Sequence, residues 1–170
     1  MQAIRLVADG DAVGGIDVHA LQEPPAPGPG KVLVQVRYAP INFNDLMVVR
    51  GIYNWKPQPP EILGNEGAGV VLAVGEGVEG LAPGTPVALP FMARTWRERL
   101  VGKATQLVAL PPDANLQQAA MATINAVTAA MLLDDHVDLV PGAAMYPAAQ
   151  AKAAAAHAVH GGKVLLEFGA

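Results

Sequence analysis

The chain has no cysteine. No disulfide can brace it, and no thiolate can hold a metal. Its four histidines, His19, His136, His157 and His160, form neither an HxxxH nor an HExxH pattern, so a zinc site made of histidine alone has no support. Charge is also scarce. Only 15% of residues are Asp, Glu, Lys or Arg, and the net charge is -4. A mildly acidic chain lacks the basic face that phosphate backbones require, which argues against nucleic acid as a partner. There is no run of about 18 apolar residues, the length needed to cross a bilayer. The start, "MQAIRLVADGDAVGG", has no charged stretch leading into a long apolar run, so it does not read as a secretory signal. A soluble cytoplasmic protein with no membrane partner is the expectation. No G-x-G-x-x-G follows a strand, so the sequence gives no sign of a dinucleotide-binding unit.

What is present is apolar and punctuated. Hydrophobic residues make up 52% of 170 positions, enough for a substantial core. The 18 glycines and 15 prolines cluster in "PPAPGPG" (Pro24–Gly30), "KPQPP" (Lys56–Pro60), "GEGVEGLAPG" (Gly75–Gly84) and "LPPD" (Leu110–Asp113), which read as turns. Short β-branched runs lie between them. "VLVQVRY" (Val32–Tyr38) alternates in the period-2 pattern of a half-buried strand. "AGVVLAVG" (Ala68–Gly75) is nearly all apolar and predicts a strand buried on both faces. "TPVAL", "WRERLVG" and "QLVAL" follow as short strands. Many short strands with Gly/Pro turns predict a mainly β core, a barrel or sandwich. Helices come later. Asn115 is a candidate N-cap for "NLQQAAMATINAVTAAMLLDDH", with a break near Ala122. "YPAAQAKAAAAHAVHGG" has Pro147 near its start, Gly161-Gly162 at its end and an alanine-rich middle, all favouring helix. "KVLLEF" predicts a last strand.

The stretch "GNEGAGVVLAVGEGVEGLAPGTPVAL" (Gly64–Leu89) carries the most specific spacing. Its glycines permit positive φ and close strand approach at corners. Glu66 sits among apolar residues and needs a partner, most simply an arginine or a backbone N–H. The positions Gly64, Glu66, Gly69, Val74, Gly75, Val78, Gly84 and Val87 resemble the G-H-E-x-x-G … V-G-x-x-V-x-x-x-x-x-G-D-x-V segment of the medium-chain dehydrogenase/reductase superfamily. That segment belongs to its GroES-like catalytic domain. The resemblance implies a GroES-like, partly open β-barrel with peripheral helices. One departure is Pro86, where the family has Asp.

In the zinc alcohol dehydrogenases of that superfamily, Cys and His stand where this chain has Asn42 and Asn65. Neutral amides are poor zinc ligands. The resemblance is therefore to the zinc-independent branch, the quinone oxidoreductases and 2-enoyl thioester reductases. "APINFNDLMVVRGIYNWKPQPPEILGNEG" (Ala39–Gly67) and "RTWRERLV" (Arg94–Val101) are similar to segments of the mitochondrial-type 2-enoyl thioester reductases. The resemblance puts Tyr53 on the family's catalytic tyrosine and Trp96 on a substrate-pocket tryptophan. Asn42, Asn65 and Arg94 are further candidate substrate-binding residues. It implies NADPH as the reductant of a C=C bond conjugated to a thioester or quinone. A phenol can donate to the enolate oxygen that such chemistry creates. Each of these residues also has a plain structural reading. Tyr53 can cover apolar surface, Asn42 and Asp45 can cap a helix, Trp55 can pack, and Arg94 can be solvated.

The last third carries the remaining expectation. "ATINAVTAAMLLDDHVDLVPG" (Ala122–Gly142) is similar to the family's lead-in to its coenzyme domain. The tail from Tyr146 is similar to the family's C-terminus. Residues 1–142 are thus expected to be a GroES-like domain, 143–145 a junction where a coenzyme domain of on the order of 100–150 residues is missing, and 146–170 a returning helix and strand. Without that domain NADPH is not expected to bind tightly, and the surface it covered should favour homo-oligomers. A non-enzymatic scaffold with a self-association surface is the alternative. Cofactor-independent chemistry ranks last, since no Ser-His-Asp spacing or paired carboxylates suggest it.

Overall fold

The computed structural model describes residues 1–135, 144–147 and 164–167. They fall into two units, Met1–Val127 and Thr128–Ala170. In the first, β1 (Gln2–Leu6) pairs antiparallel with β2 (Ile16–Ala20) and with the short β4 (Glu61–Ile62). A second, five-stranded sheet has the order β7-β3-β5-β6-β8. Its strands are β3 (Lys31–Tyr38), β5 (Gly67–Val74), β6 (Pro86–Leu89), β7 (Arg99–Lys103) and β8 (Val108–Ala109), all antiparallel. Both sheets are open, and an isolated bridge between Ala3 and Arg97 joins them. The mainly β, GroES-like expectation holds, with the strands arranged as two sheets rather than one closed barrel.

The strand patterns explain the sheet. In β3, Val32 and Val34 point inward and are fully buried, while Leu33 and Gln35 are only partly covered. This is the period-2 alternation of a strand with one core face. β5 departs from its two-sided expectation. Gly67, Ala68 and Gly69 are buried on both faces, but Leu72 beyond them is exposed. Val32, Val34, Val71, Val87, Leu89 and Leu100 interlock as one core cluster. Leu6, Val48, Val49, Leu63 and Trp96 form a second, between the first sheet and the helix α1 (Phe43–Val49).

Asn115 caps α2 (Leu116–Ala119) as expected, its Oδ1 accepting from the N–H groups of Gln117 and Gln118. The expected break follows. Ala122–Ala126 form a π-turn before α3 (Val127–Asp135). Three elements were not foreseen. β1, β2 and β4 were not read as strands because they are short and Arg5, Asp17, His19 and Glu61 stand among their apolar residues. The second unit brings a further correction. Ala144–Pro147, expected as junction and helix start, form β9, which pairs parallel with β10 (Val164–Glu167). The helix expectation came from the alanines that follow; Ala144–Pro147 itself holds one alanine beside Tyr146 and Pro147, and it pairs with β10 instead. The rest of the expected alanine-rich helix lies outside the described residues.

Gly64 shows how closely the backbone is packed at the motif. It sits at φ +100, and a Cβ there would lie 2.5 Å from Trp96 Cδ1 and 2.7 Å from the Trp96 nitrogen. Replacing Gly64 with Ala combines left-handed strain with overpacking against backbone. The expected loss is on the order of 3 kcal/mol of unfolding free energy, read as a lower urea midpoint at unchanged m-value. A midpoint equal to that of the parent chain would refute the packing account.

Candidate functional site

Two of the candidate residues, Asn42 and Asn65, meet at the loop that opens β5. α1 begins after Asn42, where the apolar stretch Leu46, Met47, Val48, Val49 supplies a helix face and Asp45 occupies the third helical position. The Asp45 carboxylate Oδ2 accepts the Asn42 N–H at 2.8 Å, closing the first turn. The Asn42 amide nitrogen, a donor that a helix N-terminus cannot use, reaches away from the helix. Its Nδ2 donates to Glu66 Oε1 at 3.0 Å.

Glu66 is fully buried, and its carboxylate is saturated by neutral donors. Oε2 accepts from the Thr123 hydroxyl at 3.1 Å and from the Ile124 N–H at 2.9 Å. Both belong to the π-turn. Such turns leave backbone groups without regular helix partners, and here a side chain takes one of them. The arginine considered as a partner for Glu66 is not used. Backbone N–H, amide and hydroxyl suffice, because a carboxylate holding several donors is stable in an apolar setting.

Asn65 is buried beside it and donates from Nδ2 to Asp45 Oδ1 at 2.8 Å. Burial is the main cause that raises the Asp45 pKa, to about 6. The Asn42 N–H opposes that shift, the Glu66 charge adds to it, and the Asn65 bond opposes it. Two carboxylates and two amides thus interlock with no cation among them. Among the described residues no group of three His, Cys, Asp or Glu could hold a metal.

A second loop closes over the first. The Met92 N–H donates to Asn65 O at 2.7 Å, Thr95 N–H to Gly64 O at 3.0 Å, and Trp96 N–H to Leu63 O at 3.0 Å. The buried Thr95 hydroxyl donates to Glu66 O at 2.6 Å. Met92 and Arg94 in this loop have φ of 62 and 57, a conformation that non-glycine residues adopt rarely and most often at functional loops.

The predicted residues separate into three groups. Asn42 and Asn65 belong to the carboxylate network. Tyr53 and Trp96 share the second core cluster, where Tyr53 is partly buried and Trp55 packs beside it; Trp96 is anchored by a 3.0 Å bond from Nε1 to Pro40 O. Arg94 stands apart, half exposed, with NH1 3.4 Å from Glu61. A cleft of about 400 Å3 is lined by Trp96 but by none of the other four. Thr95 and Thr123 were missed as partners of Glu66. The demand of a buried Glu for donors was legible, but a threonine far along the chain gives no local signal that it will supply one.

Known proteins resemble this chain. The family model of the alcohol dehydrogenase GroES-like domain matches residues 28–134. The rat synaptic vesicle membrane protein VAT-1 homolog is 41% identical over 133 residues, 76% of this chain and 33% of that protein. The rat mitochondrial enoyl-[acyl-carrier-protein] reductase is 39% identical over 133 residues, 77% of this chain and 32% of that protein. The chain therefore spans about a third of the length of the curated relatives it matches. In fold, it is similar to the Etr1p/NADP/crotonyl-CoA complex, with a TM-score of 0.76 at 22% identity over 98% of this chain and 54% of the other.

Two measurements probe the network. Glu66→Ala strands the Ile124 N–H and the Asn42 amide, and costs about 3 kcal/mol by urea unfolding; a loss below about 1 kcal/mol would show that the carboxylate is not the anchor. Asp45 has a raised pKa when folded, so the folded chain holds that proton more tightly than the unfolded chain. Its contribution to stability therefore falls as pH rises from about 4 to about 6. The stability of the parent chain relative to Asp45→Asn should decline across that window. A flat difference would contradict the burial.

Proposed function

Because the chain belongs to the alcohol dehydrogenase GroES-like domain family, we propose that it is the substrate-side part of a zinc-free reductase acting on an activated C=C bond, in a 2-enoyl thioester or a quinone. The observation that carries this reading is the orientation of the two amides. Asn42 and Asn65 stand where, by resemblance, zinc-dependent members carry thiolate and imidazole. Each turns its Nδ2 toward a carboxylate, Glu66 and Asp45. A neutral amide is a poor zinc ligand beside thiolate or imidazole, and here each amide serves a carboxylate as a hydrogen-bond donor. The place of a metal centre is taken by a hydrogen-bonded wall.

In this reading Tyr53 donates to the oxygen of the enolate that forms when the C=C bond is reduced. Trp96 is the apolar wall of the acyl or ring pocket, with its indole held by Pro40. The Glu66 network fixes the backbone between them. Thioester substrates are favoured over quinones by the likeness to the mitochondrial enoyl reductases.

The hydride would come from NADPH, and the described residues do not fit its pyrophosphate. A phosphate cradle needs a glycine turn that opens a helix N-terminus. The positive-φ glycines Gly10, Gly30, Gly64, Gly77, Gly80 and Gly84 lie between strands, and Gly51 follows the end of α1. We therefore place the coenzyme-binding part between Gly142 and Tyr146 in the intact enzyme, and expect this chain alone to bind NADPH weakly. Val127, Met131 and Leu132 are about half exposed, which favours self-association of the chain as it stands.

The test compares NADPH-dependent reduction of crotonyl thioester and of a quinone by this chain and by one with a coenzyme domain inserted between Gly142 and Tyr146. Activity is expected only with the insertion, and Tyr53→Phe should lower its kcat by about 100-fold. Steady enoyl reduction by the present chain with micromolar NADPH binding would refute the proposal. Full activity of Tyr53→Phe would remove the tyrosine from it. By light scattering, the mass of the present chain should rise with concentration; a constant monomer mass rules out the self-association.

A further inference from the structure

The five-stranded sheet ends at β7, which pairs with β3 on one side only. Its other side is a free edge. The Val36 N–H bonds Glu98 O at one end of this pair, and the Ala104 N–H bonds Gly30 O at the other. With the register between them, these bonds direct the N–H groups of Leu100 and Gly102 toward β3. Those of Val101 and Lys103 therefore point away from the sheet, and no acceptor among the described residues takes them. A small cavity of about 160 Å3 lies there, lined by Arg97, Gln106 and the four successive residues Leu100–Lys103 among others. Successive strand residues face opposite sides of a sheet. A cavity that touches all four runs along the edge, not over one face.

The charged residues of this cavity are Arg97 and Lys103, and no Asp or Glu lines it. Lys103 is exposed and makes no ion pair among the described residues. Arg97 is partly buried. Its Nε is closed off and takes no part. Its Nη2 donates to Ala93 O at 3.3 Å, and Ala93 belongs to the cavity wall, so the guanidinium sits at that wall. Among the described residues no bond takes up its Nη1. Burial pushes the Arg97 pKa down, the Arg94 charge pushes the same way, and Glu61 opposes them. Glu61 does not line the cavity and lies against Arg94 at 3.4 Å. Two cations at one cavity with no acid in its wall repel each other, and such a group in a folded chain asks for a reason.

We infer that this cavity binds a small oxyanion, phosphate or a short carboxylate. The planar fork of Arg97 and the point charge of Lys103 are the two cationic ways of holding such an ion. The edge N–H groups of Val101 and Lys103 and the Gln106 amide add neutral donors, and a sheet edge is a known kind of anion-binding hollow. The volume is about half the lower bound of ordinary small-molecule sites, about 300 Å3. It suits an ion of a few heavy atoms and leaves no room for a long chain. Tyr53, Trp96, Asn42, Asn65 and Arg94 do not line it, so the site is separate from the proposed reductase centre and stands whether or not the chain reduces anything. Ala93 and Arg97 belong to the loop whose Met92, Thr95 and Trp96 bond Asn65, Gly64 and Leu63. A bound anion therefore braces that loop.

The test titrates the whole chain with sodium phosphate and, separately, with sodium acetate. Sodium chloride holds the ionic strength constant, and backbone amides are followed by NMR. The expected result is a saturable shift at Val101, Gly102 and Lys103, with Val71 and Val87 in the sheet interior unmoved. The tighter of the two anions names the ligand class, and similar affinities support the chemistry they share. Lys103→Gln, at an exposed position, should weaken the anion by about tenfold, and so should Arg97→Gln. Lys31→Gln removes the same charge from the residue opposite Lys103 in the β3–β7 register, outside the cavity, and should weaken it much less. Shifts that grow without saturating overturn the proposal. So do unaltered affinity in folded Lys103→Gln and equal losses in the two lysine variants. If Arg97→Gln does not fold, the lysine variants still decide.

Discussion

One buried carboxylate organises the candidate site. Glu66 ties its own loop to three segments that are remote in sequence: the start of α1 through Asn42, the loop of Thr95 through the Glu66 carbonyl, and the π-turn through Thr123 and Ile124. Among the described residues no cation pairs with it. Its charge is held by the geometry of neutral donors, and that geometry exists only if all three segments are in place. The neighbouring Asp45 repeats the arrangement on a smaller scale, with one backbone and one side-chain amide. Two such carboxylates side by side give the region a polar centre inside an otherwise aliphatic fold.

Around this centre the backbone approaches itself closely. The loop carrying Met92, Thr95 and Trp96 runs bonded to the loop carrying Leu63, Gly64 and Asn65. Gly64 is where that approach is tightest. Trp96 benefits most, because its backbone is fixed by Leu63 and its indole by Pro40. One face of the residue thereby joins the core with Tyr53 and Trp55 nearby, and the residue also contributes to the wall of an open cleft. A single aromatic side chain thus links the packing of the second core to the surface at which ligands can arrive.

Much of this was legible in the sequence where the signal is local. The alternation in Val32–Tyr38, the cap at Asn115 and the break near Ala122 depend on residues within a few positions of one another, and they are found where expected. The glycine spacing after Gly64 identified the family. What was not legible depends on distant partners. β1 and β2 are held by each other and by β4, and their own runs are too short and too polar to announce a strand. Ala144–Pro147 leads into an alanine-rich stretch that favours helix, but itself pairs with Val164–Glu167. For Glu66 the need for donors could be read but not their identity, since Thr123 and Ile124 are 57 and 58 residues away. Of the residues singled out, the amides lie in the carboxylate network, Tyr53 and Trp96 in the second core cluster, and Arg94 beside Glu61.

The reach of the Glu66 bonds has a kinetic side. Closing a loop of that length carries an entropic cost that grows slowly with length but must be met before the bond returns anything. The hairpins β1–β2 and β5–β6 close over far fewer residues and can form first. The bonds from Thr123 and Ile124, 57 and 58 residues from Glu66, are therefore the costliest of its network to close.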